Sequence, residues 1–179
     1  MLQFILSTVF LIGFGSAQTI DDCPAGIIRD KYLTLHGGNC FEFLVDWPAD
    51  YNTASEDCGA RGGTLVLVNN KDISDYLIDQ LIYEYGKASK VWIGLNDKAK
   101  EGTYVWEDGT PLSGYSNWAP TRNGTSANHD CVFFDASKQG FWDEDFCEDQ
   151  LFGFIEHKRP YVCQYRARNG RATTTPPPL

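Results

Sequence analysis

Six cysteines, Cys23, Cys40, Cys58, Cys131, Cys147 and Cys163, follow an apolar amino-terminal run, and together they restrict what this chain can fold into. The opening stretch MLQFILSTVFLIGFGSA is apolar from Phe4 to Phe14 and ends on Gly15, Ser16 and Ala17. A run this short does not comfortably cross a bilayer of about 30 Å. Gly15 and Ala17 suit a signal-peptidase cut before Gln18, so residues 1–17 read as a signal peptide and the protein as secreted and extracellular. An even number of cysteines in an oxidising compartment implies a disulfide framework. Arithmetic alone leaves about 15 pairings open. Zinc ligation is the competing use, but there is no C-x-x-C pair and no two histidines stand at ligand spacing.

The net charge is −9, carried by 24 acidic and 15 basic residues. Such a chain is poorly suited to a phosphate backbone, which needs clustered Lys and Arg, and nucleic acid is excluded as a partner. Acidity suits divalent cations, or solubility alone. No second apolar stretch is long enough for a membrane span, and the length fits one domain.

Local patterns give the elements. Phe41, Phe43 and Val45 alternate with Glu42, Leu44 and Asp46, a strand whose second face is only partly polar. Tyr51, Ala54, Cys58 and Arg61 fall at helical spacing, and Gly62 and Gly63 stop that helix. TLVLV is a buried run. Ile73, Leu77, Ile78, Leu81, Ile82 and Tyr85 form one face of a second helix that Gly86 ends. Short aromatic segments follow: VWIGL, TYVWEDG, CVFF, GFWD and YVCQY. Two helices followed by several short strands predict an α+β domain. The tail over 167–179 is rich in Thr and Pro, reads as disordered, and offers Thr173, Thr174 and Thr175 to O-glycosylation.

WIGLND (Trp92 to Asp97), the Gly-Gly after the first helix, YVWEDGTPL, NW, DCVFF, FWDEDFC and YVCQY occur in the order seen in C-type lectin-like domains. The resemblance runs from Cys23 to Tyr165. It implies a C-type lectin-like fold over 18–166: two helices packed on short antiparallel strands, a long ligand loop, and disulfide staples. It also selects one connectivity, Cys23–Cys40, Cys58–Cys163 and Cys131–Cys147. Chain-entropy estimates give about 3 kcal/mol for closing a loop like 131–147 and about 4.7 kcal/mol for one like 58–163. The aromatic and aliphatic residues of WIGL are expected in the core.

In calcium-dependent members of that family, the loop after NW carries Glu-Pro-Asn or Gln-Pro-Asp. Its oxygens bind Ca²⁺ and two sugar hydroxyls together, because Ca²⁺ takes six to eight hard oxygens. Here the loop reads PTRNG. Arg122 brings a positive charge to the cation position, which opposes binding. The acidic residue expected two positions before Cys131 is His129. The resemblance still supplies Asp143 and Glu144 as calcium ligands, with Asp130 in support. Asp97 and Glu101, with Asp130, match an auxiliary calcium site. The alternative is that these carboxylates are solvated turn residues. Asn123-Gly124-Thr125 is a glycosylation acceptor, marking an exposed loop whose glycan would stand beside the sugar surface.

Two binding functions compete. One is recognition of glycans through a degenerate, calcium-type site. The other is a structural or interaction protein on the same fold that binds protein or mineral surfaces, for which the acidic run from Asp143 to Asp149 is suited. That run also reads as an ordinary solvated face. Catalysis is not expected. His129 and Cys131 superficially pair a base with a thiol, but a disulfide-bonded Cys131 is no nucleophile.

Overall fold

Alternation at Phe41, Phe43 and Val45 builds the longest strand among the described residues. A computed structural model describes residues 17–86, 90–120, 128–148 and 157–168. Residues 1–16 of the expected signal peptide, the tail beyond Arg168, and Arg122 and Asn123 lie outside these. Strands β1 (Leu33–His36) and β2 (Asn39–Ala49) form a hairpin through Gly37 and Gly38. Both glycines have positive φ, 55° and 78°, a backbone that side-chain-bearing residues rarely adopt. Phe41, Phe43 and Val45 are buried as the alternation requires. Glu42, expected on the more polar face, is buried as well, and its carboxylate is held by Arg61 and the Tyr165 hydroxyl.

Helix α1 (Tyr51–Ala60) begins at Asp50, whose side chain accepts from the Thr53 N–H at 2.9 Å. It buries Tyr51, Ala54 and Cys58, and Arg61 caps its end. Of TLVLV, only β3 (Thr64–Leu65) is strand. Val66 to Val68 are nevertheless buried: the Val66 N–H donates to Val162 O, and its carbonyl accepts from the Gly94 N–H, both at 2.8 Å.

Helix α2 (Lys71–Ile78) starts at Asn70, whose side chain accepts from the Ile73 N–H. The sequence predicts one helix to Tyr85, but α-helix gives way to a π-helical turn over Asp79–Glu84. There Tyr85 N–H reaches Gln80 O and Gly86 N–H reaches Leu81 O, five residues back in each case. The wider turn lets Leu81 enter the core while Tyr85 packs against Phe43 and Tyr32, with ring centroids 5.0 and 5.2 Å away. Packing, not local propensity, sets this shape.

The remaining strands are β4 (Lys90–Asn96), β5 (Val105–Trp106), β6 (Cys131–Asp135), β7 (Phe141–Asp145) and β8 (Arg159–Arg166). They join one sheet in the order β1-β2-β8-β4-β6-β7, with β3 on β8 and β5 on β4. Pairing is antiparallel except between β4 and β8, which run parallel at Trp92 and Tyr161. One face of the sheet packs Ile93, Leu95, Phe134, Trp142 and Val162 with Ile73, Leu77 and Leu81 from the α2 side. The opposite face packs Trp92, Phe133, Tyr161, Cys163 and Tyr165 with Tyr51, Ala54 and Cys58 of α1. The WIGL residues are therefore core on both faces. Disulfides join Cys23 to Cys40, Cys58 to Cys163, and Cys131 to Cys147.

The glycine of WIGL is required by packing. A Cβ on Gly94 would stand 2.7 Å from Leu65 O and 3.1 Å from a Leu67 methyl. Gly94→Ala is expected to cost about 1–3 kcal/mol, as overpacking does. Urea unfolding of the oxidised protein measures it; an unchanged midpoint would show that the sheet yields at this point.

Candidate functional site

The ends of β4, β5, β6 and β7 converge where the long loop leaves and returns. Its departure is fixed by Asn117 to Ala119. Trp142 N–H donates to Asn117 O at 2.8 Å, and Ala119 N–H donates to Trp142 O at 2.9 Å. Asn117 Nδ2 donates to Gln139 O and Gly140 O at 3.0 and 2.8 Å. Trp118 stands over this anchor, 5.5 Å from the Trp142 ring and 4.8 Å from Tyr104. Trp142 is fully buried and makes edge contacts with Trp106, Tyr115 and Trp118. Both Trp118 and Trp142 thus belong to the frame under the loop. The return is fixed by Asn128, at φ 80°, and by the Asp97 N–H, which donates to Asp130 O at 3.1 Å.

Asp97 lies where these strand ends meet. The following turn wraps around it: Gly102 N–H donates to Oδ2 at 2.7 Å and Lys100 N–H to the backbone carbonyl at 2.9 Å. The residue is 2% exposed, and Oδ1 has no hydrogen-bond partner in the protein. Burial raises its pKa above the ordinary carboxylate value, and the nearby Asp130 carboxylate raises it further. A buried carboxylate with an unpaired oxygen beside a second carboxylate is the donor chemistry of a hard cation. Glu101 is exposed on the same turn. Among the described residues, however, no three carboxylate, His or Cys side chains come together closely enough to hold a metal ion.

Asp143 and Glu144 are parted by the strand that carries them. Along β7 the side chains alternate, so Trp142 and Glu144 are buried while Asp143 and Asp145 stand on the other face, half-buried. Glu144 is 4% exposed, and its Oε1 accepts a hydrogen bond from the Tyr104 hydroxyl. Asp143 accepts from the Glu144 N–H at 3.0 Å and borders a small cleft with Lys90, Phe133 and Lys138. The two carboxylates thus lie on opposite faces of the strand, Glu144 turned to the Tyr104 hydroxyl and Asp143 to the cleft. Asp130 joins neither; its described neighbour is Asp97.

Within the described part of the acidic run, Glu144 and Asp145 are tied inward while Glu148 is exposed. Asp145 receives Arg159 Nη2 at 2.5 Å and lies 2.8 Å from His157 Nδ1. The Arg159 guanidinium is held between Phe133 and Trp92, 4.3 and 4.6 Å from their ring centroids. Glu148 accepts from Asn52 Nδ2 at 3.0 Å. His129 packs edge-on to Phe146 at 4.4 Å, an aromatic contact in place of a metal ligand. Asp149, Arg122 and Asn123 lie outside the described residues. Tyr104 and Arg159 are absent from the sequence-derived site. Tyr104 reads only as an aromatic of TYVWEDG, and nothing local pairs it with Glu144, 40 residues on.

Comparison with known proteins agrees with this architecture. The family model described as Lectin C-type domain matches residues 48–165. Human tetranectin is 35% identical over 120 residues, covering 64% of this chain and 54% of tetranectin. A perlucin-like protein of Mytilus galloprovincialis is 27% identical over 134 residues, covering 75% of this chain and 81% of its own. The chain thus spans about half the length of human tetranectin. Among solved structures, a calcium-independent type II antifreeze protein superposes with a TM-score of 0.63 at 25% identity. That match covers 78% of this chain and 95% of the other.

Tyr104→Phe tests the inward hold on Glu144. Removing a donor from a buried carboxylate is expected to cost about 1–3 kcal/mol. The urea midpoint should fall accordingly, and an unchanged midpoint would show that this bond does not hold Glu144.

Proposed function

Since this chain belongs to the C-type lectin domain family, whose members bind rather than catalyse, we propose that it is a secreted glycan-binding protein whose long-loop face makes the contact. Secretion is supported by the amino-terminal apolar segment and by three disulfides, which persist in oxidising compartments. Among the described residues, no helix is long and apolar enough to cross a membrane.

The observation that carries the site is Asp97, buried with one unpaired oxygen beside Asp130. On this reading calcium, where it binds, is held by Asp97 and Asp130 and draws in Glu101 from the same turn, since no three such side chains are already gathered among the described residues, and Asp143 and Glu144 serve the frame. The cation would neutralise two adjacent carboxylates and lock the turn over 97–102 against the returning end of the loop. Sugar contact then falls to the loop itself, which carries Arg122 and the Asn123 acceptor. A metal-free mode is the second reading, with protein or mineral surfaces as ligand. It is favoured by the Tyr104 bond to Glu144 and by the likeness to an antifreeze protein described as calcium-independent.

Calcium titration by calorimetry on the oxidised chain separates the two. Uptake with a dissociation constant of about 10⁻⁶–10⁻³ M is expected, abolished by Asp97→Asn with Asp130→Asn and unaffected by Asp143→Asn. No heat up to several times the upper end of that range would leave the metal-free reading. A glycan array with calcium and with chelator then reads sugar recognition; silence in both would overturn it.

The raised pKa of Asp97 gives a prediction in chelator. An acid that binds its proton more tightly when folded adds stability at low pH and loses it as pH rises through the raised value. Asp97→Asn should therefore raise Tm at pH 7 without calcium, by about 2–4 °C for each 1 kcal/mol gained. The advantage should shrink as pH falls toward the ordinary carboxylate value. A lower Tm at pH 7 would mean that Asp97 is stabilised as an anion by groups of the protein itself.

A further inference from the structure

A groove of about 350 Å³ opens on a part of the protein that shares no residue with the long loop. Segment 28–32, β2, α1 and β8 form it, through Ile28, Asp30, Trp47, Asp57, Arg61 and Tyr161 among others. Ile28 is 69% and Trp47 59% exposed, among the most exposed large apolar side chains described. Neither packs into either core cluster, so the fold gives no account of them.

The polar wall is built rather than incidental. Arg61 Nη1 donates to Glu42 Oε2 at 2.5 Å, and Nη2 donates to Asp57. Tyr165 OH also donates to Glu42, at 2.8 Å, and Tyr161 OH to Asp57, at 2.7 Å. Burial, reinforced by these carboxylates, pushes both tyrosines well above their usual pKa, so they remain donors. Arg61 is shared between two carboxylates, and Asp30 adds a third at the rim. Three negative charges against one positive leave the groove anionic next to an accessible indole. Lys31 stands over the Tyr32 ring, which lines this groove, at 4.8 Å and also borders the neighbouring depression with Gln80 and Glu84; counted in full it still leaves the groove net negative. Arg29 is engaged by the carbonyls of Cys23 and Ile27.

Charge and shape together choose among occupants. A neutral saccharide would gain from the indole face but nothing from the net negative charge. A lysine or arginine side chain uses both: its methylenes cover Trp47 and Ile28, and its cation meets the carboxylates and the indole π-face. The volume lies near the small end of the range of about 300–1,000 Å³ for ligand pockets, which suits one long side chain. We propose that this groove is a second, metal-independent binding site that takes an exposed lysine or arginine side chain of a partner protein.

The test uses the full oxidised chain in chelator, which keeps it independent of any calcium site on the loop face. The probe is a short capped peptide carrying two lysines and an arginine among glycines and serines. Binding is read from intrinsic fluorescence and, because Trp47→Ala removes that reporter, from calorimetry. Saturable binding is expected, weakened about tenfold by Trp47→Ala, as loss of an aromatic face to a cation implies. Rising salt should weaken it further. The same peptide with acetylated lysines and citrulline should not bind. Asp57→Asn should weaken binding also, but Asp57 supports Tyr161 and Arg61; Ile28→Ser and Trp47→Ala, both at exposed positions, decide the matter if that variant misfolds. Equal binding of the neutralised peptide, full affinity in Trp47→Ala, or no binding of the basic peptide would each overturn the proposal. So would displacement of the basic peptide by a neutral oligosaccharide.

Discussion

The structure depends on the position of its last strand. β8 lies between β2 and β4, antiparallel to one and parallel to the other, and it also receives β3. Both core faces draw on it, Val162 on one side and Tyr161, Cys163 and Tyr165 on the other. Until it arrives, β2 and β4 have no common neighbour, and α1 and α2 have no complete sheet to cover. Such a closure fixes contacts across more than a hundred residues before they reward it, which favours slow folding. The Cys58–Cys163 bridge spans 105 residues at this point and offsets part of the closure entropy. The two ends of the domain are drawn together by the same event, with Arg168 N–H donating to Asp22 O and Ala167 N–H to Gly38 O.

Strand geometry then decides which carboxylates face a ligand. Asp143 and Glu144 are neighbours in sequence and opposites in space, because side chains alternate across a strand. Glu144 goes inward and is met by Tyr104; Asp145 is met by Arg159 and His157. Asp97 and Asp130 are far apart in sequence but share the edge where β4 and β6 end, since Asn96 pairs with Cys131. Sheet pairing thus brings together the two carboxylates on which the proposed cation site rests. The groove under Trp47 has a similar origin, in that α1 with its cap and β2 bring Asp57, Arg61 and Glu42 to one wall.

Much of the fold was legible in the chain. Phe41, Phe43 and Val45 are buried as their period demands, Tyr51, Ala54 and Cys58 line α1, and WIGL lies in the core. The second helix shows where local reading stops. Its apolar face continues to Tyr85, yet the backbone widens after Ile78 because Leu81 and Tyr85 must meet surfaces set by β2 and the segment before β1. At the site, Asp97 and Asp130 were legible as candidates through family likeness, while the engagement of Glu144 and of the acidic run was not.

By itself the sequence determined the α+β class and the strand and helix faces, because periodicity and residue type are local properties of a chain, while the candidate cation ligands came from its resemblance to a family. Only the tertiary structure decided which charges are free and which are answered. Tyr165 meets Glu42 across 123 residues, Arg61 meets Glu42 across 19, and Tyr104 meets Glu144 across 40. A buried carboxylate must find a donor somewhere, since leaving it unpaired costs more than the bond itself returns. No local pattern names that donor, and it is the folded sheet that chooses it.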